Sequence, residues 1–256
     1  MDELSPWMEL IFRWTHVVAG VLWIGLLYFF NWVNTQVAPK LSAEAKKEVL
    51  PLVIPRTLYF FRWGAAFTWI TGILLLGLVY HMNPGQWGQG ENEVANANWY
   101  GLGMMFVSLL IYDIMWKKMS GNAAVGLSLV LVGVLCYTFS ECLNYPAHTM
   151  MIHLGATFGT MMAFNVWFRI WPAQRKIITA IAAGEAPDGV LAGLAGLRSK
   201  HNTYMSAALL LFMIGVADEG AKLMTHDTLP TVGAVFILSF VIIKALYAKA
   251  AKVPGF

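Results

Sequence analysis

The sequence predicts an all-α fold, a polytopic membrane bundle of about seven transmembrane helices with the N-terminus periplasmic and the C-terminus cytoplasmic. Three observations predict it. Of 256 residues, 58% are hydrophobic and 12% charged, about half the charge an ordinary soluble domain carries. Seven apolar stretches recur, most of them reaching or approaching the ~20 residues that a helical crossing requires. Finally, fifteen of the seventeen Lys and Arg residues fall on one side once the stretches are counted as crossings, and the positive-inside rule makes that side cytoplasmic. A missed crossing would invert every loop after it, so the charge pattern supports the count as well as the orientation. The expected location is the bacterial inner membrane.

The expected spans form one transmembrane domain over residues 1–256 and are taken in order. Span one, 7–33, is preceded and entered by a single basic residue, Arg13. Its long apolar start lacks a basic n-region and a small-residue cleavage site, so no cleavable signal peptide is expected. The loop to span two carries Lys40, Lys46, Lys47, Arg56 and Arg62. Span two is 61–82, and the loop after it, 83–97, is rich in Gly, Asn and Gln without a basic residue. Span three, 98–116, ends at Lys117 and Lys118, with Asp113 expected to pair with this basic pair at i, i+4. Spans four and five, 123–142 and 148–171, flank a second stretch without Lys or Arg. Arg169, Arg175, Lys176, Arg198 and Lys200 follow. The Ala-rich run 177–183 reads as a short interfacial helix, ended by Gly184-Glu-Ala-Pro-Asp-Gly189. Span six, 203–217, is the shortest and has a polar start at His201-Asn202. Span seven, 230–248, leads to a tail with Lys244, Lys249 and Lys252. Tryptophan and tyrosine near span ends fit aromatic belts. Cys136 and Cys142 read as two small buried residues, and with no CxxCH in the chain no covalently attached haem is expected.

A polar group inside a bilayer is costly and so is a functional candidate. Imidazole is a common axial ligand of haem iron, and it ligates uncharged. Depth sorts the six histidines. His16 lies about 13 Å into span one and His153 about 9 Å into span five, at 1.5 Å per residue from the outer surface. They form the one matched pair, and the reading is a single haem b held by His16 and His153. His81 and His148, at the outer surface, are the substitutes if a boundary shifts; His226 falls in a periplasmic loop. Arg13 projects from the face of His16 and suits a haem propionate. Gly20, Gly155 and Gly159 make room for a flat ring, although a Gly-x-x-x-Gly pair also serves close helix packing. In the cytoplasmic half, Asn165, Arg169, His201 and Asn202 offer amide, guanidinium and imidazole donors to a small anionic heterocycle; alternatively Arg169 is a positive-inside charge and Asn202 a helix cap.

The stretch His153-Leu-Gly-Ala-Thr-Phe-Gly-Thr-Met-Met-Ala-Phe-Asn165, continuing through Trp171-Pro-Ala-Gln-Arg-Lys176 and Gly184-Glu-Ala-Pro-Asp188 to Leu197-Arg-Ser-Lys-His-Asn-Thr-Tyr204, resembles the membrane domain of the bacterial membrane-bound urate hydroxylases (urate oxidases). Arg13-Trp-Thr-His-Val-Val-Ala-Gly-Val-Leu-Trp-Ile-Gly25 and Arg62-Trp-Gly-Ala-Ala-Phe-Thr-Trp-Ile-Thr-Gly72 are similar to that family's first two spans. The resemblance covers most of the chain to about Met213. It implies a helical membrane domain that oxidises urate to 5-hydroxyisourate and passes electrons to a cytochrome c. Family members usually carry that cytochrome as a C-terminal periplasmic domain. Here the expectation is a separate periplasmic cytochrome c or a neighbouring respiratory-complex subunit, because the tail after span seven is cytoplasmic by charge. The sequence Gly215-Val-Ala-Asp-Glu-Gly220 also departs from the family's ending of span six.

Two further readings stand beside the redox enzyme. One is a non-catalytic haem-bearing or structural subunit of a membrane electron-transfer complex. The other is a transporter, which would place charges or broken helices near the membrane centre; no Asp, Glu, Lys or Arg falls in the middle of an expected span.

Overall fold

The computed structural model describes residues 4–83, 94, 96–215 and 228–254. Its elements are helical. Helix α1, Leu4–Tyr28, runs on through a π-helical turn, Phe29–Asn34, and ends in a 3₁₀ turn, Ala38–Lys40. Then come α2, Ala43–Leu75, with a π turn at Leu76–His81; α3, Ala97–Lys118; and α4, Gly121–Tyr137, with a π turn at Thr138–Cys142. Helix α5, Ala147–Asn165, passes through a π turn, Val166–Ile170, directly into α6, Trp171–Ala183. Helices α7, Gly189–Ile214, and α8, Thr228–Ala250, complete the chain. Five segments are long and apolar enough to cross a membrane: Pro6–Lys40, Ala43–His81, Ala97–Lys118, Gly121–Cys142 and Pro230–Ala250. The chain is a multi-pass helical membrane protein.

The described parts of the expected spans fall on helices, and three of those helices reach beyond the spans. The helix of span two begins at Ala43, eighteen residues before 61, because Pro51 and Pro55 sit inside α2 without ending it. Proline removes one amide donor and strains the preceding turn, but a helix flanked by other helices absorbs that. The stretch from Trp171 to Lys176 is helix and not loop: the π turn Val166–Ile170 runs directly into α6, and Pro172 lies in this continuous helix without ending it. The helix that carries span six begins well before 203. Helix α7 starts at Gly189, where Asp188 Oδ1 accepts from the N–H groups of Val190 (2.7 Å) and Leu191 (3.3 Å). Asn202 and Thr203 are therefore mid-helix and cap nothing. The expected break is present: Gly184, at φ +81°, closes α6 as its N–H donates to Ile181 O and that of Glu185 to Ala180 O. Most of the loop 83–97, His226 and residues 216–217 of span six lie outside the described residues.

The chain divides into two compact units. The first comprises Met1–Thr71, Met162–Ala207 and Ser239–Phe256. Within it α1 and α2 approach backbone to backbone: a Cβ on Gly64 would stand 3.2 Å from both Ala19 O and Trp23 N. Trp23, Leu27, Phe61 and Ala65 fill this contact. The second unit comprises Gly72–Met161 and Ala208–Leu238. There Gly155 and Gly159 face α7: a Cβ on Gly155 would meet Met213 Cε at 2.8 Å, and one on Gly159 would meet Leu209 at 3.6 Å. The room at these glycines is used for helix packing. A Cβ on Gly101 would overlap the Tyr145 hydroxyl, which donates to Ala97 O. Asp113 pairs with Lys117 at 2.8 Å, as expected. Both cysteines are free; Cys136 is buried, but Cys142 is exposed at the end of the π turn.

Candidate functional site

Buried and half-buried polar side chains gather in three places among the described residues. In the first unit His16 of α1 faces Thr71 of α2, with Nδ1 3.2 Å from Thr71 Oγ1. Thr71 spends its one hydroxyl proton on Phe67 O at 2.6 Å. Its oxygen is then an acceptor, so His16 Nδ1 carries the proton and Nε2 the lone pair. Arg13 pairs with Glu9 one turn earlier, Nε and a terminal nitrogen both 2.7 Å from Oε1. Glu9 is thus the counter-ion of Arg13 here. A Cβ on Gly20 would stand 3.7 Å from the methyl group of Thr68, an ordinary contact.

The second unit holds His153. It is buried, and its Nδ1 lies 2.7 Å from Thr149 O. A carbonyl only accepts, so Nδ1 again carries the proton and Nε2 the lone pair. Aromatic rings surround the imidazole: Tyr145 at 5.1 Å, Phe139 at 6.0 Å and Tyr80 at 6.3 Å between ring centres. His81, at the end of the π turn that follows α2, has its ring centre 6.0 Å from that of His153, and Tyr80 lies tilted against His148 at 6.2 Å. His153 and His81, packed at ordinary ring separation, are the imidazoles here that could hold a metal were one bound; among the described residues no group of three or more His, Cys, Asp or Glu side chains gathers as a metal site. His81 ends the π turn Leu76–His81, and nothing in the sequence pattern of an ordinary helix marks such a turn.

The third cluster, in the first unit, contains the expected heterocycle site. Asn165 Nδ2 donates to Asn202 Oδ1 at 2.8 Å, and Asn202 Nδ2 donates to Met162 O at 2.9 Å, with both residues fully buried. His201 and Arg169 are half-buried. Arg169 lies over the Phe164 ring at 5.1 Å and donates to Phe168 O. The pair Asn165 and Asn202 is brought together by a hydrogen bond.

Residues not singled out by sequence extend this cluster. Asn31, inside span one, donates to Leu27 O and Ser199 Oγ and accepts from Tyr247 OH at 2.8 Å. Tyr28 donates to Ser206 Oγ at 3.0 Å, because Ser206 commits its own proton to Thr203 O. Arg198 is fully buried on α7, whereas the charge pattern placed it in a loop. A lone Asn in the apolar run of span one was the available signal for Asn31; Tyr28 and Tyr247 carry none beyond an aromatic at a span end.

A buried histidine, buried amides and a buried guanidinium on apolar helices define a multi-pass membrane protein of the class in which such groups serve chemistry or transport. The chain belongs to the urate oxidase N-terminal family, whose profile matches residues 2–48 and 41–252. No curated protein and no solved structure matches it.

Proposed function

We propose that the protein is a haem b-containing membrane oxidoreductase that oxidises urate or a similar purine and passes the electrons to a separate periplasmic cytochrome c. His153 carries the haem part of this reading. Its Nδ1 proton is fixed on Thr149 O, so Nε2 is the basic nitrogen, as ligation of a metal requires. His16 is locked in the same tautomer by Thr71 and is the second ligand expected from depth. His81 is the histidine found beside His153. Haem would supply a one-electron carrier. Family membership supports the substrate class.

The overall reaction balances as urate plus water giving 5-hydroxyisourate, two protons and two electrons. The c-type cytochrome takes the electrons in two steps. Asn165 and Asn202, with His201 nearby on α7, are the first place for contacts to the purine. Amide groups match its alternating carbonyl and N–H edge, and a bound purine would exchange the Asn165–Asn202 bond for bonds to itself.

Reduced-minus-oxidised spectra of protein purified in detergent from haem-sufficient cells test this. The wild type is expected to show a b-type spectrum, lost in His153→Ala. Whichever of His16→Ala and His81→Ala also loses it identifies the second ligand. Urate added to the oxidised protein is expected to reduce the haem. A folded, colourless wild type would overturn the haem assignment. A normal b-type spectrum that urate never reduces, with no urate consumed when a cytochrome c is supplied, would leave a haem-bearing subunit without the catalytic role.

A further inference from the structure

Arg62 stands apart from every cluster above. Its guanidinium carbon lies 4.3 Å from the ring centre of Trp171, 5.6 Å from that of Trp167, 5.8 Å from Tyr59 and 5.9 Å from Trp63. Its Nε is buried with no hydrogen-bond partner, and among the described residues Arg62 makes no ion pair. Trp167 Nε1 donates to the backbone oxygen of Arg62 at 3.0 Å, which holds the ring and the start of the α2 apolar run together. A second guanidinium, Arg175, lies 5.6 Å from the same Trp171 ring centre, and it too has no ion pair among the described residues. Two permanent cations thus share one indole without a carboxylate between them.

Ring faces attract a guanidinium, but they do not neutralise it or satisfy its N–H groups. A charge with buried, unanswered donors is costly unless a counter-ion arrives. We propose that Arg62 and Arg175, set about Trp171, bind the phosphate of an anionic phospholipid in the cytoplasmic leaflet. The guanidinium fork matches phosphate oxygens in a bidentate way that an ammonium does not. Tyr59 and Trp63 favour a lipid over a soluble anion, because both are exposed on the outer face of α2. A headgroup entering there would lay its acyl chains along the neighbouring exposed side chains Phe60 and Phe67. The depth agrees, since basic side chains with interfacial tryptophans at the positive side of a membrane are where anionic headgroups lie.

Lipid retention measured by native mass spectrometry tests the site. Protein in neutral detergent is given equal amounts of phosphatidylglycerol and phosphatidylcholine. The wild type is expected to retain phosphatidylglycerol preferentially. Arg62→Gln and Arg175→Gln are each expected to reduce that preference about fivefold. Arg175 is exposed, so Arg175→Gln keeps the test valid if Arg62→Gln fails to fold, with helix content checked by circular dichroism. Arg56→Gln, an exposed control away from the indole, is expected to change nothing. Equal retention of the two lipids by the wild type would overturn the proposal, as would an unchanged preference in the folded Arg variants. Displacement of the lipid by millimolar inorganic phosphate would assign the same residues to a free anion and overturn the lipid as occupant.

Discussion

Helices α4 and α5 follow each other in the chain and have opposite characters. The buried residues of α4 are Ala124, Leu135 and Cys136, while Val125, Leu127, Leu129, Val130 and Val134 are exposed. Helix α5 buries Thr149, His153, Thr157, Thr160 and Asn165 and exposes no large apolar side chain. The threonines of α5 return their protons to its own backbone, Thr157 to His153 O and Thr160 to Ala156 O. Lipid demands apolar side chains from a helix that faces it, whereas a helix shielded by protein can carry polar groups once they are hydrogen-bonded. Among the described residues α4 lies in a segment long and apolar enough to cross a membrane, whereas α5 and α7, which the sequence also predicts to be crossings and which carry His153, Asn165 and Asn202, fall short of that apolar length.

The contrast can be broken by substitution, with thermal unfolding in a fixed detergent as the measurement. The largest effect is expected at a buried helix contact. Gly64→Leu forces a side chain against the rigid backbone of Ala19 and Trp23 and should cost about 1–3 kcal/mol, as overpacking does. A wild-type melting curve for Gly64→Leu would mean that α1 and α2 do not approach as described.

Next comes the buried amide pair. Asn202→Leu removes the acceptor of Asn165 and the donor to Met162 O, at a cost of about 1–2 kcal/mol. Adding Asn165→Leu should recover part of that loss, since no amide is then left unanswered. A double variant worse than the sum would show that the pair does more than satisfy itself.

Asp113→Asn should cost about 0.5 kcal/mol or less, because the Lys117 end of the pair is exposed and solvent screens it. The smallest change is expected on the lipid face. A Cβ on Gly126 meets nothing within 4 Å, so Gly126→Ala should shift stability by no more than about 0.5 kcal/mol. A large loss there would mean that α4 packs against another surface.

The candidate residues were legible to different degrees. His16 and His153 stood out because an imidazole within an apolar run is conspicuous, and both lie on helices as expected. Asn165 and Asn202, thirty-seven residues apart, were grouped by depth alone, and they do bond to each other. Arg13 was given a propionate as partner because its helix face was clear, but Glu9, one turn away on the same face, was overlooked. His81, expected at the outer surface, ends the π turn Leu76–His81 and lies beside His153, a proximity that the sequence did not indicate. The aromatic setting of Arg62 could not be read at all, since Trp167 and Trp171 reach it from more than a hundred residues away.

What the sequence determined by itself was set by solvent. Apolar length, the sidedness of Lys and Arg, the Gly184–Asp188 break and the family all follow from local composition and order. The tertiary structure decided which polar residues meet. Burial turned Arg198 from a loop charge into an interior one, π turns re-aimed residues at helix ends, and Pro51, Pro55 and Pro172 stayed within helices. Those outcomes depend on which neighbours exclude lipid and complete the hydrogen bonds of each group, and such neighbours are remote in the chain.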